Sequence, residues 1–300
     1  MFRMDALYAM ENRGVVFLNS PKAMERTVDK FYTSFLLAQS GVATPETLAT
    51  ETAKEAMDAF ERLGCDGVEL MVRDPSQLDW ERVKATLDAA QLGVPQIVTG
   101  ELFGADGLCL ATADDALHER TVARLRAVVD LGAFLGAIVN IGRVRGQLRF
   151  LGDRLDAWRV AVERLRGVAM YAAERGVRIA VEPLNRYETD FIFNAEEGRR
   201  MIEQLGMDNV GLMLDLFHMN IEDATIEDGL RTAGDRLWHV HIADSNRRYP
   251  GSGHLDFDRI LRALRDMGYE GYLSGEMLPL PDADTAGERT VGFLKTLVQS

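Results

Sequence analysis

The 300-residue sequence has few cysteines and no long apolar run, and each shortage excludes a class of protein. Its two cysteines, Cys65 and Cys109, form neither a CxxC pair nor a zinc-ligand spacing, so we expect no disulfide framework and no thiolate zinc site. No apolar run approaches the ~18 residues of a membrane span. Residues 1–20 lack the apolar core of a signal peptide. We therefore expect a cytoplasmic protein that does not contact a membrane.

Positive charge is also in short supply, with 34 Lys and Arg residues against 47 Asp and Glu residues and a net charge of −13. Proteins that bind nucleic acids need an excess of basic side chains, because these displace counterions from the phosphates. We therefore expect no nucleic-acid partner. The 47% hydrophobic and 27% charged content is that of a folded globular protein with a large core.

From residue 30 to residue 300, short apolar runs alternate with longer amphipathic stretches, and the cycle repeats eight times. The runs have the composition of buried strands, and the stretches have the three- and four-residue spacing of helices. The predicted strands are 31–37, 67–72, 96–99, 137–141, 178–183, 210–215, 237–243 and 272–277. Eight such units without a flexible linker predict a single closed (β/α)8 barrel, the TIM barrel. A doubly wound open sheet is the alternative, but no GxGxxG motif follows the first strand.

Residues 1–29 precede the first repeat and match none of its units. We interpret them as an N-terminal extension, and residues 30–300 as one catalytic barrel domain. A helix below the barrel, an oligomer contact and a tail are all compatible with the extension, and we assign it no function.

Four consecutive predicted strands, the fifth to the eighth, end in side chains that bind metals: Glu182, Asp215, His241 and Glu276. The carboxyl ends of the strands are where (β/α)8 barrels carry their chemistry. Alternation along a strand puts Glu182 on the same face as Ala180 and Arg178, and His241 on the same face as His239. This pattern is consistent with convergence on one site, although Arg178 is an unusual residue for the lower end of such a strand.

Three carboxylates and one imidazole in one buried place repel one another unless a cation lies among them. The oxygen-rich set with a single nitrogen favours Mn²⁺, Mg²⁺ or Co²⁺ over a closed zinc site without excluding Zn²⁺, and of these we expect Mn²⁺. An isolated glutamate at a strand end is more often a salt-bridge or capping residue, but four ligand types on consecutive strands favour a metal site. We interpret His239 as a core or supporting residue.

Three long motifs resemble those of the xylose-isomerase-like barrels that epimerise ketoses: EPLNRYET (182–189), DLFHMNIED (215–223) and HIADSNR (241–247). Within that group the sequence is similar to the D-tagatose 3-epimerases. It resembles the 5-keto-L-gluconate epimerases most, through the shorter segments VRDPS (72–76), ADGL (105–108) and GRVRG (142–146). The resemblance spans about residues 31–285. One departure is Leu216, where relatives usually carry threonine next to the aspartate ligand.

The resemblance implies roles for individual residues. Glu182, Asp215, His241 and Glu276 match the metal ligands of the family, and Glu182 and Glu276 also match its two acid–base carboxylates. Three further positions match residues that hold substrate oxygens: Glu188, His218 and Arg247. The resemblance also implies a homodimer or homotetramer.

The expected reaction inverts the carbon next to the ketone of a ketose or keto-sugar acid through a cis-enediolate, with 5-keto-L-gluconate or D-tagaturonate as the expected substrate. A bound metal stabilises the enediolate, and two carboxylates serve as base and acid. A sugar isomerase or an inosose-type dehydratase would use the same site. An apurinic-site endonuclease would need more histidine ligands than a chain with five histidines offers. The GRVRG segment further predicts that Arg145 binds the substrate carboxylate, although Arg143 and Arg145 are also compatible with surface ion pairs.

Overall fold

Parallel strands in chain order form the centre of the computed structural model, which describes residues 63–152 and 154–298. Seven strands lie in these residues, and each pairs in parallel with the next one in the sequence. They are β1 (Leu70–Met71), β2 (Gln96–Val98), β3 (Ile138–Ile141), β4 (Ile179–Val181), β5 (Val210–Asp215), β6 (Leu237–Ile242) and β7 (Leu273–Gly275). This is the strand order of a (β/α)8 barrel. The first predicted strand, at 31–37, and the predicted extension, at 1–29, lie outside the described residues.

Helices follow the strands on the outer side of the sheet. Those described are α1 (Trp80–Ala89), α2 (Gly100–Gly104), α3 (Asp115–Leu135), α4 (Arg154–Ala173), α5 (Ala195–Leu205), α6 (Leu216–Glu222), α7 (Ile226–Ala233), α8 (Phe257–Asp266) and α9 (Ala283–Val298). Short 3₁₀ turns occupy Pro75–Gln77, Arg143–Arg145, Leu148–Leu151 and Gly234–Arg236. None of the helices in the described part of the chain is long and apolar enough to cross a bilayer.

The helix boundaries follow from local chemistry, as α5 illustrates. Asn194 precedes the helix, and its side chain accepts a hydrogen bond from the backbone N–H of Glu197 at 3.0 Å. The Glu197 carboxylate reaches back to the backbone N–H of Phe193 at 2.9 Å. The helix ends at Gly206, whose φ of +62° is the left-handed conformation that glycine adopts without strain. The capping pair and the terminal glycine therefore fix the two ends of α5.

The main core lies between the sheet and the helices. Side chains on the outer face of the strands, such as Val139, Ile179 and Val240, are completely buried against helix residues such as Leu125. Burial of side chains of this size stabilises the fold by roughly 1.5–3 kcal/mol each. A smaller apolar layer fills the interior of the sheet and consists of Ile138, Ala180, Met213 and Trp238. The polar side chains at the carboxyl ends of the strands lie directly above this layer.

A bulge in the pairing of β5 with β6 shifts the register, and it determines which residues of β5 lie opposite His239 and His241. Leu212 pairs with Leu237, but Met213 pairs with His239, so Trp238 is an extra residue in the ladder. The indole packs on Gly211, where a Cβ would lie 2.4 Å from the ring, so a side chain there would displace it. The Arg178 guanidinium stacks at 5.2 Å from the same ring, and this contact explains an arginine at the lower end of β4.

Candidate metal and active site

Four neighbouring strands bring the predicted ligand residues to one place. Glu182 follows β4 directly, Asp215 ends β5, His241 is the fifth residue of β6, and Glu276 follows β7. One ligand atom from each of the four residues lies within 4.8 Å of the corresponding atoms of the other three. The parallel strands end at the same edge of the sheet, so their last inward-facing side chains meet above the interior apolar layer.

Burial of like charges dominates the electrostatics of this cluster. Glu182 and Asp215 are buried, whereas the Glu276 side chain is 48% exposed. Burial, reinforced by the charge of Glu276, raises the pKa of Glu182 to about 8. Burial also raises the pKa of Asp215, despite its contacts with His218 and Arg247. These carboxylates therefore lie where their negative charge is unfavourable unless a cation accompanies it.

The pKa shifts of His241 and Glu276 favour the charged form of each group, unlike those of Glu182 and Asp215. Although burial acts to lower it, the pKa of His241 lies well above its ordinary value because the carboxylates of Glu69 and Glu276 face its two ring nitrogens. The pKa of Glu276 lies below its usual range, because hydrogen bonding to His241 and the charges of His241 and Arg247 outweigh burial. The positive charges of His241 and Arg247 thus partly offset the negative charge of the carboxylates.

The donor set fits a divalent cation. Three carboxylates and one imidazole supply oxygen ligands and a single nitrogen, as Mn²⁺, Mg²⁺ or Co²⁺ sites do. Gly142 leaves room for the Glu182 carboxylate. A Cβ at this position would lie 2.5 Å from Oε2 of Glu182, so any side chain there would displace the carboxylate. Burial and then the charge of Glu276 raise the pKa of Glu182, and a cation beside the carboxylate would offset both effects.

Fixed hydrogen bonds orient two of the carboxylates. The Asn140 side-chain amide donates to Oε2 of Glu182 at 3.1 Å from within the barrel. The backbone N–H of Phe217, at the start of α6, donates to Oδ1 of Asp215 at 2.8 Å. In both cases this bond fixes one carboxylate oxygen, and the second oxygen faces the cluster.

The three residues expected to hold substrate oxygens also lie at this site. His218 Nε2 is 4.0 Å from Oε1 of Glu182 and 4.0 Å from Oδ2 of Asp215. The Asn185 side-chain amide donates to Nδ1 of His218 at 2.7 Å and to Glu188 Oε1 at 3.3 Å. With Nδ1 accepting, the proton of a neutral His218 ring is on Nε2, which faces the carboxylates.

Arg247 contacts two carboxylates of the cluster directly. Its Nη1 donates to Oδ2 of Asp215 at 2.6 Å, and its Nη2 pairs with Oε2 of Glu276. Its φ of +61° places it in the left-handed region within a turn that the buried side chain of Asp244 organises. Asp244 accepts hydrogen bonds from the backbone N–H groups of Ser245 and Gly251 at 2.7 and 2.8 Å. The turn therefore holds the guanidinium over the site.

Sequence reasoning missed three residues that support this arrangement: Glu69, Asn140 and Asn185. Glu69 and Asn140 did leave a signal, because each is a polar residue within an otherwise apolar strand segment. Their partners come from distant parts of the sequence, however, and only the folded barrel identifies them.

The prediction that Arg145 binds a substrate carboxylate is wrong. The Arg145 side chain is buried, and its Nη1 donates to the backbone carbonyls of Gly142 at 3.0 Å and Glu182 at 2.7 Å. Its Nη2 donates to the carbonyl of Phe191 at 3.0 Å. The carbonyls of Glu182 and Phe191 lie in the irregular chain after β4, and Arg145 is their hydrogen-bond donor. Arg143, two residues earlier, is half-buried.

The amino-acid sequence matches the xylose isomerase-like TIM barrel family over residues 57–297. The chain belongs to this family. Its fold is therefore the predicted TIM barrel, of which the structure describes seven strands.

Named members of the family give the comparison more detail. The 3-dehydro-D-guloside 4-epimerase of Escherichia coli is 31% identical over 267 residues, which are 82% of this chain and 95% of that protein. The D-psicose 3-epimerase of Agrobacterium fabrum is 35% identical over 169 residues, 56% of this chain and 57% of the relative. A solved structure of an L-ribulose 3-epimerase superposes with a TM-score of 0.74 at 28% identity and covers 82% of this chain and 88% of its own. All three are epimerases, and the chain is an isomerase by its family.

Proposed function

We propose that the protein is a metal-dependent epimerase that inverts the carbon next to the ketone of a ketose or keto-sugar acid through a cis-enediolate. The observation that carries this proposal is the meeting of Glu182 and Glu276, from β4 and β7, with Asp215 and His241 from the two strands between them. Inversion needs a proton acceptor on one side of the carbon and a proton donor on the other. Carboxylates from two separated strands can serve both sides of one substrate.

Glu182, Asp215, His241 and Glu276 are the residues that would hold the cation. A divalent ion bound there, for which we propose Mn²⁺ with Mg²⁺, Co²⁺ or Zn²⁺ as alternatives, would polarise the substrate carbonyl and stabilise the enediolate.

The side chains of the protein account for the remaining steps. Glu182 removes or returns the proton on one face of the carbon and Glu276 does so on the other, and their roles reverse in the reverse reaction. The hydrogen bond from Asn140 keeps Glu182 in one orientation, and the contact with Arg247 does the same for Glu276. The substrate hydroxyls bind His218, Glu188 and Arg247, which surround the cluster.

Two sets of observations bear on the substrate class. The short motifs favour a keto-hexuronate such as 5-keto-L-gluconate or D-tagaturonate. The burial of Arg145 removes one argument for a keto-hexuronate substrate. Arg143 is then the candidate for a contact with the substrate carboxylate. The names of the relatives favour a neutral ketose or keto-glycoside instead. A sugar isomerase or an inosose-type dehydratase remains the alternative reaction on the same residues.

We further propose that residues 30–300 form the catalytic domain behind an extension at residues 1–29, and that the protein is a cytoplasmic homodimer or homotetramer. These proposals rest on the sequence pattern and on the family resemblance.

A product analysis distinguishes the reactions. The protein, supplied with Mn²⁺, is incubated in D₂O with a panel of neutral ketoses and keto-sugar acids, and the products are identified by proton NMR. An epimerase gives a ketose or keto acid inverted at one carbon, with deuterium at that carbon. An aldose as product, or loss of water from the substrate, would contradict the proposal in favour of the isomerase or the dehydratase.

A further inference from the structure

We propose that Glu69 is a positioning residue that fixes the imidazole of His241 with its proton on Nε2 and its Nδ1 lone pair aimed at the metal site. This inference rests on the proposed function, because it concerns a residue that would bind the cation.

Glu69 reaches His241 across the interior of the barrel. It directly precedes β1, whereas His241 lies in β6, and the two residues are 172 positions apart in the sequence. The Glu69 side chain is only 15% exposed. A carboxylate buried to this extent needs partners, and the described residues that supply them are His239, His241 and Gln96.

The two ring nitrogens of His241 face different groups. Nε2 lies 2.9 Å from Oε2 and 3.0 Å from Oε1 of Glu69. Nδ1 lies 2.9 Å from Oε2 of Glu276 and 3.9 Å from Oδ2 of Asp215, on the side of the four-residue cluster. The ring therefore stands between a supporting carboxylate and the site.

This geometry selects the form of the ring that can bind a metal. An ionised carboxylate only accepts hydrogen bonds, so the nitrogen that faces Glu69 must carry a proton. A neutral imidazole has one such proton, and its other nitrogen, Nδ1, then has a lone pair directed at the cluster. A carboxylate paired with the outer nitrogen of a metal-bound histidine orients the ring and makes it a better ligand.

Two neighbours hold Glu69 in place for this role. His239 Nε2 lies 2.5 Å from Oε1 of Glu69, and the rings of His239 and His241 are 5.4 Å apart at 84°. The Gln96 side-chain amide lies 3.5 Å from the same oxygen. His239 shares the inward face of β6 with His241 because side chains alternate along a strand, so both rings reach the Glu69 carboxylate.

The test measures cation binding by the full chain. Glu69→Gln removes the charge of the carboxylate and keeps its size, and Glu69→Asp keeps the charge but withdraws it by one methylene. The matched control is Glu203→Gln, a change of the same type at an exposed position on α5. Calorimetric titration of chelator-treated protein with Mn²⁺ gives the affinity and the number of ions bound.

We expect Glu69→Gln to bind one Mn²⁺ roughly 10- to 100-fold more weakly than the parent, the usual cost of losing such a supporting residue. Glu69→Asp should lie between the two, and Glu203→Gln should match the parent. Equal affinity in Glu69→Gln and the parent would overturn the proposal. Two Mn²⁺ ions in the parent and one in Glu69→Gln would also overturn it, because Glu69, His239 and His241 would then hold a second cation.

A spectroscopic measurement on the parent protein does not depend on the folding of any variant. In the Zn²⁺-loaded protein, ¹H–¹⁵N correlation of the histidine rings should show His241 protonated at Nε2, with a downfield, slowly exchanging proton. A proton on Nδ1 instead would overturn the assignment. If the parent binds no cation at all, the proposed function fails first, and that outcome is distinct from an unaffected Glu69→Gln.

Discussion

The cluster of carboxylates should lower the stability of the protein when no cation is bound, and Glu182 offers the clearest measurement. The pKa of Glu182 rises from its ordinary value of 4.5 to about 8, chiefly because the side chain is buried and then because it faces Glu276. The folded protein therefore holds a proton on Glu182 at pH values where the unfolded chain has released it. The free energy of unfolding falls with rising pH in such a case, through the window from about pH 4.5 to about pH 8.

The magnitude follows from the size of the shift. Each pKa unit corresponds to 1.36 kcal/mol, so a shift of this size gives an upper bound of roughly 5 kcal/mol at high pH. Relaxation of the site around the charge reduces this, and we expect about 2–3 kcal/mol. Glu182→Gln keeps the side-chain volume and removes the charge. It should raise the melting temperature of the chelator-treated protein by several degrees at about pH 9 and change it little at about pH 5.

Thermal unfolding of the parent and of Glu182→Gln, both freed of metal, checks this across that pH range. Glu203→Gln, which removes one exposed negative charge, controls for the change in net charge. The same pH dependence in the parent and in Glu182→Gln would refute the inference that this site contains unfavourable buried charge.

Three further changes test other parts of the site. Asp215→Ala should abolish Mn²⁺ binding, measured by calorimetry, while the circular dichroism of the fold persists; an unchanged affinity would remove Asp215 from the site. Glu276→Gln should slow epimerisation by roughly 10²–10⁴-fold even when saturated with Mn²⁺, and turnover at the parental rate would exclude Glu276 as an acid or base. Arg145→Ala should lower the free energy of unfolding by about 3 kcal/mol, because several buried carbonyls lose their donor. Preserved stability with a specific loss of activity on keto acids would instead restore its predicted role in substrate binding.

Much of the barrel can be predicted from the sequence, because buried parallel strands leave apolar runs that end in polar residues. The predicted strand 210–215 coincides with β5, and the six other predicted strands that fall in the described residues agree within a few residues. The side chains at the ends of β4 to β7 could be expected to meet, since the fold brings the ends of parallel strands together.

Other features have no local signal. The bulge at Trp238 depends on how β5 and β6 pair, and the support of His241 by Glu69 crosses the interior between residues far apart in the sequence. The sequence misleads at Arg145, because it shows the charge of the side chain but not the backbone carbonyls that surround it in the fold. The partners of a buried polar group are set by the fold as a whole.

The most direct test of the account measures cation content and epimerisation in the same samples. Chelator-treated protein is titrated with Mn²⁺, and the rate on the best substrate of the panel is recorded after each addition together with the bound metal. We predict no epimerisation before addition and a rate that rises in proportion to bound Mn²⁺ until one ion per chain is present. Full activity in the metal-free protein would contradict the assignment of Glu182, Asp215, His241 and Glu276 as a catalytic metal site.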